Sequence, residues 1–282
     1  MAKTFLITGV SSGFGRALAE AALADGHTVA GTVRHDADKQ KFETLGRGAH
    51  ALLLDVTHTE AIAPAVAGVE SGIGAIDVLV NNAGYGHEGI LEESSIDDLR
   101  RQFEVNVFGA VAIIQAVLPY MRKRRAGNIL NVTSMGGIIT LPGLSYYHGS
   151  KFALEGISEA LGKEVKDLGI KVTAIEPGGF RTDWAGRSMV RAGRSIADYD
   201  PVIEPIRKRR MELSGWQIGD PKKAASAMLK VALSADPPAH LLLGSDAVRL
   251  VDEKLKSLEN EFDAWKSVSL STDVAPSTLS SS

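Results

Sequence analysis

The sequence lacks several features that define whole classes of proteins. It contains no cysteine in 282 residues, which excludes disulfide bridges, thiolate metal sites and cysteine nucleophiles. Its seven histidines are scattered, with no HExxH or similar pair, so no structural zinc site is expected. Because 34 acidic residues outnumber 31 Lys and Arg, the net charge of −3 gives no electrostatic case for binding nucleic acid.

Long apolar runs are scarce as well. No run approaches the ~20 apolar residues of a membrane-spanning helix. The start of the chain, MAKTFLITGV, has too short an apolar stretch for a signal peptide and no small-residue cleavage site. We therefore expect no membrane partner and a cytoplasmic location. The length suits one large domain with a substantial core.

Short apolar runs alternate with longer segments of helical period. Strands are predicted at 4–8, 28–33, 51–54, 78–80, 128–132, 172–175 and 241–243, and helices at 13–24, 60–69, 96–121, 145–168 and 221–233. Most of the strand segments are dense in Val, Ile and Leu, which is typical of strands buried on both faces. The alternation predicts an α/β fold with a single Rossmann-type, doubly wound parallel sheet of about seven strands and helices on both faces.

Two segments depart from this alternation. Residues 180–219 form a long mixed stretch after the sixth predicted strand, with Trp184, Trp216 and many arginines, and we expect a small substrate lid there. Residues 267–282 are rich in Ser and Thr and are expected to form a flexible C-terminal tail. Residues 1–266 would then be one dinucleotide-binding and catalytic domain.

A glycine-rich turn joins the first predicted strand to the first helix. It reads TGVSSGFG at 8–15, where glycines allow backbone N–H groups and a helix N-terminus to approach a pyrophosphate. A glycine turn without a ligand is the alternative, but its place between strand and helix favours a nucleotide.

Arg34 is the first charged residue after the second predicted strand. Residues 27–33 contain no acid, whereas a site that prefers NAD usually has an acidic residue near this point. Arginine suits a 2′-phosphate, so NADP(H) is favoured over NAD, although Asp36 could compete and Arg34 could simply be solvated.

Tyr147 and Lys151 are four residues apart in the segment 145–168, which places them on one helix face. A nearby ammonium group favours the phenolate form of a tyrosine and so moves its pKa toward a useful range. On its own this pair is common, and a surface contact is the alternative interpretation.

Seven segments together make the chain resemble a classical short-chain dehydrogenase/reductase. They stand in the family's order and spacing: TGVSSGFG at 8–15, LDVT at 54–57, NNAG at 81–84, Asn106 in EVNVFG, Ser134 in NVTSMGG, Tyr147 and Lys151 in YYHGSK, and PGGFRT at 177–182. GTVRHD at 31–36 and LLLGSDA at 241–247 resemble the NADP-preferring branch of carbonyl, hydroxysteroid and retinol reductases. The tyrosine–lysine spacing argues against enoyl reductases, and the glycine pattern against sugar epimerases.

The resemblance implies a role for each matching residue. Tyr147 would donate the proton, Lys151 would lower its pKa and hold the nicotinamide ribose, Ser134 would bind the substrate oxygen, and Asn106 would bend its helix and hold a water. The cofactor-binding residues would be Gly9, Ser11, Ser12, Gly13, Phe14, Gly15, Arg34, Asp55, Val56, Asn82, Ala83, Gly84, Tyr147, Lys151, Pro177, Gly178 and Thr182. Asp55 and Val56 would contact adenine, residues 82–84 would lie along the ribose, and residues 177–182 would reach the nicotinamide and its phosphate.

Some positions stay open at this stage. Either Thr133 or Ser134 could face the pocket, although spacing favours Ser134. Tyr146 is followed four residues later by Ser150, so only Tyr147 has the lysine. His148 is a candidate substrate contact, but a plain helix residue is the preferred interpretation. Trp184 and Trp216 could line an apolar pocket or only anchor the lid.

The sequence thus predicts an enzyme that exchanges a hydride between NADP(H) and a ketone or secondary alcohol, a small-molecule substrate. The alternative is a non-catalytic NADP(H)-binding regulator on the same fold. The resemblance also implies a homodimer or homotetramer that pairs through helices 96–121 and 145–168. Nothing in the sequence selects the substrate.

Overall fold

The computed structural model describes residues 1–186 and 188–274, without the side chain of residue 185. The strands are β1 (Thr4–Ile7), β2 (Thr28–Val33), β3 (Ala49–Leu53), β4 (Ile76–Asn81), β5 (Gly86–Glu88), β6 (Gly127–Val132), β7 (Ile170–Pro177), β8 (Met189–Arg191) and β9 (His240–Leu243). The helices are α1 (Gly13–Ala24), α2 (Asp36–Glu43), α3 (Thr59–Gly72), α4 (Ile96–Phe103), α5 (Gly109–Arg124), α6 (Ser145–Val165), α7 (Asp200–Glu212), α8 (Pro221–Ala232) and α9 (Ser245–Leu270).

Seven strands form one parallel sheet in the order β3-β2-β1-β4-β6-β7-β9. The predicted doubly wound fold is therefore confirmed. The strand order reverses between β1 and β4, and ligands of such sheets bind in the crevice beyond the carboxyl ends of the strands at this point. The glycine-rich turn after β1 and the NNAG segment at the end of β4 both lie there.

Two apolar layers cover the two faces of the sheet. On one face, side chains of α1 and α8, such as Leu18 and Met228, pack with Phe5 and Ile7. On the other, α3, α5 and α6 contribute side chains that include Ile113 and pack against the opposite face of the same strands. The strand residues read as continuous apolar runs because both faces are buried.

One long helix runs from Ile96 to Arg124, and within the described residues it alone is long and apolar enough to cross a membrane by length and composition. Its apolar side chains Ile113, Val117 and Met121 are fully buried in the second core layer. One face of this helix therefore packs into the protein core. A π-helical turn at Glu104–Phe108 interrupts it and separates α4 from α5.

The segment predicted as a substrate lid, which we call the lid, contains secondary structure that the apolar pattern did not predict. Between Phe180 and Gly219 lie β8 and α7, and β8 pairs in parallel with β5 in a separate two-stranded sheet. Helix α2 was also not predicted. Both α2 and α7 are polar helices with one fully buried apolar side chain each, Phe42 and Ile203, so they lack the apolar stripe that marks a helix in a sequence.

The C-terminal region differs from the prediction. The tail expected from residue 267 begins inside α9, which continues to Leu270. Only Ala247 and Val251 of this helix are buried, and every residue from 259 to 274 is exposed. Helices tolerate serine well enough that Ser/Thr content alone does not end one. Residues 275–282 of the predicted tail lie outside the described residues.

Candidate active site

The glycine-rich turn after β1 is shaped by close approach of backbone to backbone. Gly9 and Gly13 have positive φ values of 72° and 59°, a region that favours glycine. A Cβ on Gly15 would lie 2.4 Å from the carbonyl oxygen of Gly9 and 2.5 Å from Nδ2 of Asn82. The turn therefore admits no side chain at this position, and it leads directly into the N-terminus of α1.

Helix α1 begins at Gly13 with Ser12 as its N-cap, and the Ser12 side chain makes no capping hydrogen bond. The first N–H groups of the helix therefore remain available for an anion. Phe14 packs edge-on against Phe180, with ring centroids 5.0 Å apart. Ser11 is exposed at the turn, and Gly13 would bring a Cβ to 4.0 Å from that of Thr182, so the turn and the 177–182 segment face each other across the crevice.

Asn82 supports this turn, a role that the resemblance did not imply. Its Nδ2 donates to the carbonyl oxygens of Thr8 at 2.9 Å and Gly9 at 3.0 Å. The backbone N–H groups of Asn82 and Ala83 both donate to Thr8 Oγ1 at 2.9 Å. Thr8 and Asn82 thus tie the end of β4 to the glycine-rich turn.

The rim of the crevice at the ends of β2 and β3 carries Arg34 and Asp55. Arg34 is exposed. Burial raises the pKa of Asp55, but hydrogen bonds from the Thr57 N–H and hydroxyl, with the charges of Arg34 and His58, lower it overall. Val56 is buried and packs on Gly109. Arg34 thus presents an exposed positive charge at the place where the sequence predicts the adenosine end of a cofactor.

Ser134, Tyr147 and Lys151 lie together at the opposite end of the crevice. All three are buried, with exposures of 8%, 7% and 7%. The Lys151 ammonium lies 5.8 Å from the centre of the Tyr147 ring and donates to the carbonyl oxygen of Val132 at 2.8 Å. Ser134 Oγ accepts from Gly136 N–H at 2.9 Å and donates to the Pro177 carbonyl at 3.4 Å. The pair from α6 and the serine after β6 therefore lie together in a buried cluster, which we call the pocket.

Burial dominates the electrostatics of this pocket. It raises the pKa of Tyr147 to about 12, opposed by a hydrogen bond with Ser134. It lowers the pKa of Lys151 to about 8, opposed by the negative charge of Glu155. Desolvation disfavours the charged form of each group. Both groups are thus driven toward neutral forms in this closed arrangement.

The neighbouring side chains settle two of the open assignments. Thr133 Oγ1 donates to the Ile175 carbonyl at 2.9 Å, so its hydroxyl points into the sheet. Tyr146 donates to the carbonyl of Ser94 at 3.0 Å and points away from Lys151. Thr133 and Tyr146 are therefore engaged by backbone carbonyls, which leaves Ser134 and Tyr147 as the predicted pair.

Asn106 lies in the π-helical turn and is 1% exposed. Its Nδ2 donates to the carbonyl of Tyr85 at 3.1 Å and to Ser150 Oγ at 3.0 Å, and its Oδ1 accepts from the Tyr85 N–H at 3.1 Å. A Cβ on Gly84 would lie 3.1 Å from the same Oδ1. Asn106 thus links the loop after β4 to α6, and the extra residue of the π turn re-aims its side chain.

His148 positions the loop that follows Ser134. Its Nε2 accepts from the Leu141 N–H at 2.8 Å, and its Nδ1 therefore carries the hydrogen that it donates to the Gly136 carbonyl at 2.8 Å. Burial lowers the pKa of His148. Both nitrogens are engaged by backbone, so the histidine holds the loop and has no nitrogen left for a substrate.

The segment after β7 closes the pocket from the other side. Pro177 ends β7, and its carbonyl oxygen accepts a hydrogen bond from the Ser134 hydroxyl. The Gly178 N–H donates to the carbonyl oxygen of Leu243 at 2.8 Å. The Gly179 N–H donates to Asp246 at 2.7 Å. A Cβ on Gly178 would lie 2.3 Å from the Asp246 carboxylate, which explains why glycine stands at this bend.

The lid lies directly on Tyr147. Trp184 packs against it with ring centroids 5.1 Å apart, and Leu144, Tyr147 and Met189 form a small apolar cluster with Trp184. Trp216 is 77% exposed, so it neither lines the pocket nor anchors the lid. The two tryptophans left open by the sequence are thus distinguished.

Ion pairs fasten the lid to the rest of the protein. The Glu88 side chain is 1% exposed, and it pairs with Arg191 at 3.3 Å, with Arg207 at 3.1 Å and with Arg210. The Glu93 side chain, also 1% exposed, pairs with Arg194. We call Glu88, Arg191, Arg207 and Arg210 the lid clasp. Arg207 and Arg210 of the lid therefore take part in the fold. Glu88 could not be singled out from the sequence because a lone glutamate carries no motif.

Comparison with known proteins agrees with this geometry. The sequence model of the short chain dehydrogenase family matches residues 3–190, so the chain belongs to that family. A crystal structure of a short-chain dehydrogenase from Streptomyces avermitilis is 41% identical and superposes with a TM-score of 0.90 over 96% of this chain and 98% of the other. ElxO with NADP bound is 25% identical, with a TM-score of 0.72 over 86% of this chain and 96% of the other.

Curated relatives are oxidoreductases. Oxidoreductase BOA17 of Botryotinia fuckeliana is 38% identical and covers 96% of this chain and all of its own. A 3-ketodihydrosphingosine reductase of Bacteroides thetaiotaomicron is 37% identical and covers 89% of this chain and 91% of its own. The protein is thus an oxidoreductase of the short-chain dehydrogenase family, which uses nicotinamide cofactors and acts on small molecules.

Proposed function

We propose that this chain is an NADP(H)-dependent oxidoreductase that transfers a hydride between nicotinamide and a ketone or secondary alcohol, with Tyr147 as the general acid and base. The observation that carries this proposal is the burial of Ser134, Tyr147 and Lys151 together beside a backbone cradle that excludes side chains at Gly15. A bound nicotinamide would supply or accept the hydride.

The cradle fits a dinucleotide. Gly9, Gly13 and Gly15, with the N–H groups that begin α1, would hold the pyrophosphate. Asp55 and Val56 would border the adenine, and residues 82–84 and 177–182 would line the ribose and nicotinamide. Arg34 favours NADP(H), because a guanidinium pairs with a 2′-phosphate, and the NADP-bound neighbour is consistent with that choice.

The protein's own groups would handle the proton. In the reductive direction Tyr147 Oη donates its proton to the carbonyl oxygen, and Ser134 Oγ donates a hydrogen bond to the same oxygen. The ammonium of Lys151 stabilises the phenolate that results and would also bind the nicotinamide ribose. The hydrogen bonds of Asn106 hold α4, α6 and the loop after β4 in register around this pocket.

The apolar lid and the activity named for one relative support a ketone as the substrate and reduction as the direction of the reaction. Trp184, Met189 and Leu144 give the pocket an apolar wall, and the Bacteroides relative is a ketone reductase by name. Because Tyr147 is 7% exposed beneath Trp184, the lid must move for a substrate to enter. A cytoplasmic location, and a homodimer or homotetramer that pairs through helices 96–121 and 145–168, remain predictions.

Replacement of Tyr147 by Phe tests the proposal. We expect Tyr147→Phe to lower turnover of a ketone panel at least ~100-fold, as loss of a general acid does, while NADPH binding changes little. Turnover is followed by NADPH absorbance and binding by nicotinamide fluorescence.

The neighbouring tyrosine provides the control. Tyr146→Phe removes a hydroxyl bonded to Ser94 and should keep most of the activity. Near-normal turnover in Tyr147→Phe would overturn the mechanism. Normal NADPH binding with no turnover by the native protein on any ketone or alcohol would favour the non-catalytic regulator.

A further inference from the structure

A second group of titratable residues lies one helical turn behind the pocket. Glu155 follows Lys151 by four residues on α6, and it meets Glu176 of β7 and His240 at the start of β9. His240 Nδ1 lies 3.0 Å from Glu155 Oε1 and 2.8 Å from Glu176 Oε1. We call Glu155, Glu176 and His240 the rear cluster. One carboxylate oxygen of each glutamate and one imidazole nitrogen of His240 all lie within 4.8 Å of one another.

The rear cluster joins the protein interior to solvent. The side chains of Glu155 and Glu176 are 7% and 1% exposed, whereas that of His240 is 43% exposed. Each glutamate leaves its Oε2 atom buried with no hydrogen-bond partner among the described residues. The charge of Glu176 so close by disfavours the ionised form of Glu155, and the imidazole of His240 opposes this effect.

The charges around the rear cluster come from three elements. Glu159, one turn further along α6, lies 3.8 Å from His240 Nε2, and Lys151 is the cation on the pocket side. Burial, together with the charge of Glu176, raises the pKa of Glu155 to about 7. Burial lowers the pKa of His240, but hydrogen bonding to Glu176 and the surrounding carboxylates raise it overall. The protonation of Glu155 is therefore linked to that of His240.

Lys151 and Glu155 are packed against the same glycine. A Cβ on Gly137 would lie 3.0 Å from the Lys151 carbonyl and 3.3 Å from Glu155 Oε2. The Lys151 ammonium donates to the Val132 carbonyl, a neutral acceptor. The negative charge of Glu155 opposes the loss of the Lys151 proton. Among the described residues, no carboxylate on the pocket side has this effect.

We propose that Glu155 is a positioning residue for the proposed function: its carboxylate, held by Glu176 and His240, keeps Lys151 protonated at alkaline pH, and His240 exchanges the proton of the rear cluster with solvent. The proposal rests on the proposed function, since Lys151 acts there as the cation beside Tyr147.

The sign of the effect follows from the charge of Glu155. Its pKa is raised to about 7, so its carboxylate is ionised at alkaline pH. A carboxylate one helical turn from Lys151 favours the ammonium form of that lysine, whereas burial lowers the pKa of Lys151 to about 8. Removing the charge should let Lys151 deprotonate at lower pH.

The test measures the titration of Lys151 directly in the full-length protein. Lysine is labelled with ¹³C at its ε carbon, and the Lys151 signal is assigned by its loss in Lys151→Met. We expect Glu155→Gln to lower the titration midpoint of Lys151 by about half a unit to one unit. Glu164→Gln, an exposed carboxylate on the same helix, is the matched control and should leave the midpoint unchanged.

His240→Gln serves as a second variant because its partly exposed side chain can be replaced without disturbing the core. Loss of the imidazolium makes Glu155 hold its proton to higher pH, so the Lys151 midpoint should fall by a smaller amount. An unchanged midpoint in Glu155→Gln, or in His240→Gln if Glu155→Gln does not fold, would overturn the proposal.

Activity separates this inference from the proposed function. With any ketone that is turned over, the alkaline limb of kcat against pH should move down with the Lys151 midpoint in Glu155→Gln. A shifted midpoint with no turnover by the native protein would refute the proposed function and leave the electrostatic link intact. A shifted midpoint with an unmoved alkaline limb would overturn the role of Glu155 in catalysis.

Discussion

The two sides of the crevice are built in different ways. The cofactor side, from β1 through the NNAG segment, is fixed by backbone: glycines in tight contact, and the Thr8 and Asn82 side chains bonded to main-chain groups. The substrate side has only the short backbone ladder between β5 and β8, and side-chain charge adds to it: the lid clasp and the Glu93–Arg194 pair fasten the lid. Backbone packing tolerates almost no substitution, whereas ion pairs can open and close. We therefore expect the cofactor side to tolerate little substitution and the substrate side to be the part that can open.

The largest effect is expected where a side chain is forced into the backbone cradle. Gly15→Ala places a Cβ 2.4 Å from the Gly9 carbonyl, so the turn must shift and we expect NADPH binding to be lost. Thermal unfolding should also move to lower temperature. The measurements are nicotinamide fluorescence and calorimetry.

Gly68→Ala is the matched control for this change. Gly68 also lies in a helix, α3, and a Cβ there meets nothing within 4 Å. It should bind NADPH normally and gain about 0.5–1 kcal/mol of stability, because alanine loses less backbone entropy than glycine. Tight binding by Gly15→Ala would show that the cradle adapts, and the contrast between the two sides would fail.

An intermediate effect is expected at the rim of the cofactor side, where recognition depends on one exposed charge. Arg34→Asp should reverse the cofactor preference, with a change in the ratio of NADPH to NADH affinity of about 100-fold, since a carboxylate repels a 2′-phosphate and accepts from ribose hydroxyls. Titration with both cofactors measures this ratio. Equal preference in native and variant proteins would remove Arg34 from the recognition of the phosphate.

The smallest effect on chemistry is expected at the lid clasp. Glu88→Gln replaces the carboxylate that meets three guanidinium groups, so the lid should open more often and KM for the substrate should rise several-fold. Hydrogen exchange should quicken in α7 and stay slow in β1 and β4.

Glu204→Gln is the control for the clasp. It removes a half-exposed carboxylate that pairs with Arg194 and Arg207, and exposed pairs contribute at most about 1 kcal/mol. Exchange in α7 should change little. If Glu88→Gln also left α7 protected, apolar contacts around Trp184 and Ile203 would be what holds the lid.

The sequence predicted the parts of the fold that depend on short-range patterns. All seven strands of the main sheet were located because strands buried on both faces read as apolar runs, and α1 was placed at its observed bounds because its glycine turn marks the start. Helices α2 and α7 were missed because their surfaces are polar. Strands β5 and β8 are three residues each, too short for a pattern.

The candidate site divides in the same way. Tyr147, Lys151, Ser134 and Asn106 stand in motifs, so their positions could be predicted, and the structure brings the first three together. The clasp on Glu88 and the rear cluster join residues from distant strands and helices, and pairing at long range leaves no mark in a single sequence. His148 was visible in its motif, but only its two backbone partners show what it does.

The exposed end of α9 has a practical consequence for handling the protein. Its last partly covered side chain is Leu258, and the helix continues in the open to Leu270, a rise of roughly 18 Å at ~1.5 Å per residue. A dye, a tether or a fused partner attached beyond Leu270 would therefore be separated from the globular domain by the exposed end of this helix. Immobilisation through that end on a sensor chip should leave the crevice open to the solution.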